Sequence, residues 1–219
     1  MTHNTHHTRR ASVELRSRRP LLLALVACAA MPACSLLPAP SPVDVYPLPS
    51  TLPGQPAALP ALALSLRVTR PAASALLAGQ RLLVQPDGER ISYYKGAQWS
   101  EPVPVLLRNR LLDALRADGR IATLSSDERI LQADFELDGE LRAFQSVYRD
   151  GRPEVQLRLD LRLVRTASQR IVASRRLELA QAVSSNALPQ VVQAFGAASD
   201  RLAREAAGWT VQQLQQATH

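Results

Sequence analysis

Between Ala133 and Arg142 the chain alternates apolar and polar residues without a break, and it does so again between Val155 and Leu163. Ala133, Phe135, Leu137, Gly139 and Leu141 fall on one side of the first segment; Asp134, Glu136, Asp138, Glu140 and Arg142 fall on the other. In the second, Val155, Leu157, Leu159, Leu161 and Leu163 stand opposite Gln156, Arg158, Asp160 and Arg162. Strand side chains point to alternate faces with a period of two, so each segment predicts a strand with one face to bury and one left in water. Asp150-Gly151 between them suits the positive φ angles of a two-residue hairpin turn. Such a pair must find cover for one face only, which is the habit of antiparallel sheets.

The rest of the chain supplies that cover. Leu62–Arg70 alternates as a strand, and Arg81–Gln85 and Arg90–Tyr94 flank a Pro86-Asp87-Gly88 turn. Lys95-Gly96 predicts a second turn. Ser100 is placed to cap a helix with Pro102 in its first turn; Val103, Leu107, Leu111 and Leu115 give the helix an apolar face, and Asp118-Gly119 ends it. Ile121–Leu124 is a short strand, and Ile171–Ala180 follows a Thr166–Gln169 turn. Ser184-Ser185-Asn186 offers caps for a final helix. Leu188, Val192, Phe195, Ser199, Leu202, Ala206 and Trp209 form its stripe at helical spacing, running to about Gln216. Gly196 and Gly208 each cost such a helix about 1 kcal/mol, and close packing is the reason they suggest. The prediction is an α+β fold: an antiparallel or mixed β-sheet covered on one face by two main α-helices, near 102–118 and 187–216. Strands follow one another without intervening helices, which argues against a doubly wound parallel sheet.

The first third of the chain reads differently. Five arginines (Arg9, Arg10, Arg16, Arg18, Arg19) precede an apolar run from Leu21 to Ala33, too short to be a good membrane span. This predicts an export signal over 1–33. Ser17-Arg18-Arg19 resembles part of a twin-arginine signal, which leaves the export route open. Eight prolines lie between Ser35 and Pro60, a density that favours extended polyproline II over any helix or central strand. A tether over 34–61 is expected, leading into a domain over 62–219. The stretch near Tyr46 and Leu48 is the part that could dock on that domain.

Composition narrows the chemistry. Both cysteines (Cys28, Cys34) and three of the four histidines (His3, His6, His7) lie in the first 34 residues, and the fourth, His219, ends the chain. The body from Ser35 to Thr218 therefore holds no Ser-His-Asp or Cys-His machinery, no His or thiolate zinc site and no disulfide. The first 34 residues carry five basic side chains against one acid, and the remainder carries 21 against 18. That near balance gives nucleic-acid binding little support. Three groupings remain. Asp134, Glu136, Asp138 and Glu140 suggest a cation or acid–base site, against which stands a solvated face of cross-strand ion pairs with Arg158 and Arg162. Tyr93, Tyr94 and Trp99 suggest a ligand cleft or an aromatic edge packed on the first helix. Arg175-Arg176 suggests an exposed edge or a contact with lipid phosphate. No catalytic residue, cofactor or metal is expected.

Bacterial lipoprotein signals end in a small-residue box before a cysteine that receives a diacylglycerol. Leu25-Val26-Ala27-Cys28 fits that box; Met31-Pro32-Ala33-Cys34 fits it less well but follows a fuller apolar run and precedes the proline tract. Cys34 is the preferred lipidation site and Cys28 the alternative. The next residue, Ser35 or Ala29, is not Asp, which by resemblance to lipoprotein sorting implies the outer membrane. Several stretches, in this order, resemble the ABC-type transport auxiliary lipoproteins, including the paraquat-inducible type: Tyr46-Pro47-Leu48, I-S-Y-Y (91–94), W-S-E-P (99–102), L-L-R-N-R-L-L-D-A-L (106–115), A-D-F-E-L-D-G-E-L-R-A-F (133–144), V-Q-L-R-L-D-L-R-L-V (155–164) and A-F-G-A-A-S-D-R-L (194–202). The resemblance implies an outer-membrane-anchored, periplasm-facing auxiliary without catalytic residues. Its implied partners are an MCE-domain substrate-binding protein and an ABC permease/ATPase complex that move lipid between membranes, with self-association into a homo-oligomer left open. The alternative is a structural or assembly lipoprotein of pilotin or scaffold type.

Overall fold

In chain order the elements are β1 (Asp44–Tyr46), β2 (Leu62–Val68), β3 (Ala72–Ala73), β4 (Arg81–Asp87), β5 (Arg90–Trp99), α1 (Val103–Asp118), β6 (Ile121–Ser126), β7 (Phe135–Arg149), β8 (Arg152–Arg165), β9 (Arg170–Ala182) and α2 (Leu188–Ala217). They come from a computed structural model that describes residues 42–53, 61–129 and 131–218. The expected export signal and both cysteines lie outside the described residues.

The long strand β7 sets the topology. One edge pairs antiparallel with β8 along its whole length, from Phe135↔Arg165 to Arg149↔Arg152. The other edge is divided among three short parallel strands laid end to end: β2 at Phe135–Leu137, β3 at Glu140–Leu141 and β4 at Gln145–Val147. β6 adds to β2, β5 to β4, β1 to β5, and β9 to the far side of β8. The sheet is therefore mixed, and with two helices packed on one face the fold is α+β, as the alternation predicted. Asp150 and Gly151 both have positive φ, 51° and 74°, the twist a two-residue hairpin needs.

The buried face of β7 changes parity partway. Phe135, Leu137 and Leu141 are buried, and so are Phe144 and Ser146, because Arg142 is an extra residue between the pairs Leu141↔Leu159 and Ala143↔Arg158. A bulge of one residue re-aims the strand and lets it run to Arg149, beyond the point where the sequence alternation fades. Trp99 of β5, Phe144 of β7 and Phe195 of α2 meet behind it. The Trp99 ring stands edge-on to both phenyl rings, at 5.8 and 5.2 Å, and the two phenyl rings stack at 4.8 Å.

Four local expectations are corrected. Lys95-Gly96 is not a turn: β5 continues through it, and Gly96, at φ 72°, takes up a slip in the β4 pairing. Ser100 does not cap α1, since its N–H goes to the Tyr46 carbonyl and its own carbonyl accepts from Gln80. Pro102 fills the cap position instead, and the Gly79 carbonyl satisfies the Val103 N–H at 3.1 Å. Ser184-Ser185-Asn186 likewise leaves the α2 cap to Ala187, ahead of a proline in the first turn. Gly208 meets nothing within 4 Å of where a Cβ would stand, so close packing does not explain it.

Gly139 is the tightest point between β7 and β8: an added Cβ would lie 2.6 Å from the Asp160 carbonyl oxygen. Gly139→Ala should therefore force the two strands apart and cost about 1–3 kcal/mol in urea denaturation. Gly79→Ala, with nothing within 4 Å, should stay within about 0.5 kcal/mol of the parent. Equal stability of the two variants would contradict the close approach.

Candidate functional site: the N-terminal strap and the charged sheet face

Residues 42–53, expected to lie within a tether, are built into the domain. β1 pairs parallel with the end of β5, Asp44↔Ala97 to Tyr46↔Trp99, and Leu48 is buried in the core. The chain then crosses α2, where Pro49 comes so close that a Cβ on Gly196 would stand 2.7 Å from its carbonyl oxygen. Only a glycine allows that approach, which is the close packing the sequence suggested for Gly196.

A buried ion pair holds the strap one turn further on. Arg110 of α1 and Asp200 of α2 are 6% and 1% exposed, and the Arg110 guanidinium donates to the Asp200 carboxylate. Two full charges so far from water are costly unless every remaining hydrogen-bonding position is filled. Here the strap supplies four such bonds. Arg110 donates a second bond to the Leu48 carbonyl at 2.9 Å. Asp200 accepts from the Thr51 N–H at 2.7 Å, the Thr51 hydroxyl at 2.8 Å and the Ser50 hydroxyl at 3.2 Å. Burial by itself would raise the Asp200 carboxyl, but the Thr51 N–H and hydroxyl, with Arg110, outweigh it and hold it below the usual carboxylate range. The cluster is a rivet of strap and both helices.

Sequence reasoning missed these residues, although a signal was present. Arg110 sits three positions after Leu107 and four before Ala114, on the apolar face of α1; Asp200 follows Ser199 and precedes Ala203 on that of α2. A charge at a core position of each helix, with opposite signs, is the pattern of a buried pair. Arg108, 2% exposed, is a second such charge: it donates to Asp127 at 2.7 Å and Glu128 at 2.6 Å, tying α1 to the turn after β6.

The carboxylates the sequence singled out do not converge. Asp134, just ahead of β7, accepts the Ser65 N–H and hydroxyl, both at 2.7 Å. Glu136 pairs with Arg67, Asp138 with Arg162 and Glu140 with Arg142. Arg158 pairs across to Glu178 of β9, not to β7. Arg176 and Arg142 both hold Asp160, and the Arg176 hydrogen bonds, opposed by partial burial and aided by Arg142, draw its carboxyl down to about 2. Among the described residues no group of three or more His, Cys, Asp or Glu is placed to hold a metal. The face is a lattice of cross-strand ion pairs in water.

The aromatic trio divides rather than lining a cleft. Trp99 is wholly buried and meets Phe195 of α2 edge-on. Tyr94 points inward, its hydroxyl 2.9 Å from that of Ser146 and pushed up to about 12 by burial. Tyr93 points outward, 51% exposed, beneath the Arg81 guanidinium. Arg175 and Arg176 are both exposed on β9, which has no partner beyond it among the described residues.

A family model described as ABC-type transport auxiliary lipoprotein component matches residues 46–207, from the strap through most of α2. An uncharacterized protein of Bradyrhizobium diazoefficiens is 33% identical over 151 residues, 68% of this chain; the match spans 40% of that relative's length. A crystal structure of a Xanthomonas campestris protein superposes with a TM-score of 0.72 at 28% identity, covering 80% of this chain and 99% of that one. A second solved structure, of an uncharacterized protein, has a TM-score of 0.60 at 18% identity over 78% of this chain and 99% of its own, a likeness of fold.

Asp200→Asn should leave Arg110 buried without its counter-charge and cost about 3–5 kcal/mol in urea denaturation. The sign with pH follows from the lowered carboxyl. Its stabilisation is complete above the ordinary carboxylate range and is lost as pH falls through the folded value. Between pH 5 and 2 the parent should therefore lose more stability than Asp200→Asn, and parallel curves would show that the pair contributes nothing.

Proposed function

This chain belongs to the family of ABC-type transport auxiliary lipoprotein components, and from that premise we propose that it serves an intermembrane lipid transport system by docking rather than by catalysis. The family is one of transport auxiliaries and not an enzyme class, and its name implies association with an ABC transport system. The finer reading is an outer-membrane-anchored, periplasm-facing lipoprotein, lipidated at Cys34, whose partners are an MCE-domain substrate-binding protein and its ABC permease/ATPase complex.

One observation carries this reading: the segment leading in from the anchor is riveted into the core. The Arg110–Asp200 pair and its bonds to Leu48, Ser50 and Thr51 pass a pull on the N-terminus directly to both helices. An anchored domain that must hold a partner at a fixed place needs such a connection. A freely tethered enzyme does not. The charged sheet face offers exchangeable ion pairs to a protein partner, each worth about 0–1 kcal/mol, so it can be re-paired at low cost.

Affinity capture with the full-length chain should retain an MCE-domain or permease component from detergent-solubilised envelopes. Cys34→Ala should still capture it in detergent yet fail to complement a deletion strain challenged with envelope stress, because restriction to one membrane raises the effective concentration of partners. Capture of no transport component by either form would favour a scaffold role in the envelope.

A further inference from the structure

The corner of the sheet where the strap enters carries a cluster of exposed apolar side chains. Val43 and Val45 are 49% and 55% exposed, and Ile91 and Tyr93 of β5 are 39% and 51% exposed. Strand alternation puts these on one face. Val45 stands opposite Gln98, Gln98 opposite Arg81, and the Arg81 guanidinium lies 4.8 Å from the centre of the Tyr93 ring, on the face away from Tyr94 and Ser146. Among the described residues β1 pairs with Ala97–Trp99, and no described strand lies beside the first residues of β5.

The length of chain before this corner limits how far it can stand from an anchor at Cys34. The strap is part of the domain from Pro42 onward, so only eight residue steps separate Cys34 from Pro42. Even fully extended they span no more than about 29 Å. The Ile171–Val172 corner, the apolar spot at the opposite end of the sheet, lies nine residues further along β7 and four strand spacings away. On ordinary strand dimensions that is roughly 35 Å from Tyr93. A domain resting on that corner with the strap entry uppermost would need a longer leash than the chain supplies.

We propose that the corner formed by Val43, Val45, Ile91 and Tyr93 rests on the headgroup layer of the bilayer that holds the anchor. This rests on lipidation at Cys34. A Tyr with an arginine over its ring suits the boundary between water and acyl chain, where an aromatic body is buried and a polar tip stays wet. Arg81 forms no salt bridge among the described residues, and so is available to a lipid phosphate. Around the patch Arg81, Arg90 and Lys95 are balanced by Asp44, Asp87 and Glu89, which fits a zwitterionic headgroup layer rather than a strongly anionic one. The contact orients the domain, and the lipid retains it.

The test uses the full-length lipidated chain in phosphatidylcholine vesicles, with a flotation assay first. Flotation of the parent together with loss of flotation in Cys34→Ala supports the anchor; any other flotation result removes the anchor reading, and the orientation with it. Tyr93→Trp and Ile171→Trp, both at exposed positions, are then compared in vesicles whose acyl chains carry bromine. The parent's own Trp99 and Trp209, 0% and 8% exposed, give the baseline. The added emission of Tyr93→Trp should be quenched at least twofold, since interfacial side chains sit about 5–10 Å into the headgroup boundary. That of Ile171→Trp should be unchanged. Chains that float with no quenching at Tyr93→Trp, or with equal quenching at both sites, would overturn the orientation while leaving the anchor intact.

Discussion

Arg110 and Asp200 are withdrawn from water together, and this joins three parts of the chain that are distant in sequence. An ion pair in such surroundings depends on further hydrogen bonds, because each missing one is felt at low dielectric. Leu48, Ser50 and Thr51 supply four of these bonds from the strap. The strap in turn requires Gly196 beneath Pro49 and fixes β1 against β5. The N-terminal boundary of the domain thus follows from a charge pair between two helices, and not from where the proline content falls.

The two faces of the sheet divide the remaining work. The inner face is a continuous apolar layer closed by α1 and α2, keyed by the Trp99, Phe144 and Phe195 rings. The outer face is a grid of ion pairs with Asp160 at its centre, shared by Arg142 and Arg176. On neither face, among the described residues, is a group of three or more His, Cys, Asp or Glu placed to hold a metal.

Much of this was legible in the residues. Period-two alternation marked β7 and β8, Asp150-Gly151 marked their turn, and the stripe from Leu188 to Trp209 marked α2. The helix caps were not, because Ser100 and Ser184-Ser185-Asn186 lost their roles to tertiary bonds from Gly79 and Tyr46 and to prolines at the helix starts. The bulge at Arg142 was hidden, since one inserted residue leaves no compositional trace. The rivet was missed for a different reason: its residues lie 62 and 90 positions from one another along the chain, and only packing unites them. The ion-pair reading of the carboxylates was right in kind, but of the expected partners only Arg162 meets one of them, Asp138; Glu136 takes Arg67, Glu140 takes Arg142, Asp134 takes Ser65, and Arg158 turns to Glu178.

Native-state hydrogen exchange at the Thr51 amide tests the central claim most directly, because that N–H bonds only to Asp200 in the rivet. If the strap is part of the cooperative core, Thr51 should exchange only with the global opening that releases the β7 amides, and with the same free energy. Exchange at the rate of an exposed loop, while β7 stays protected, would show the strap to be a loosely laid tether and would contradict the account.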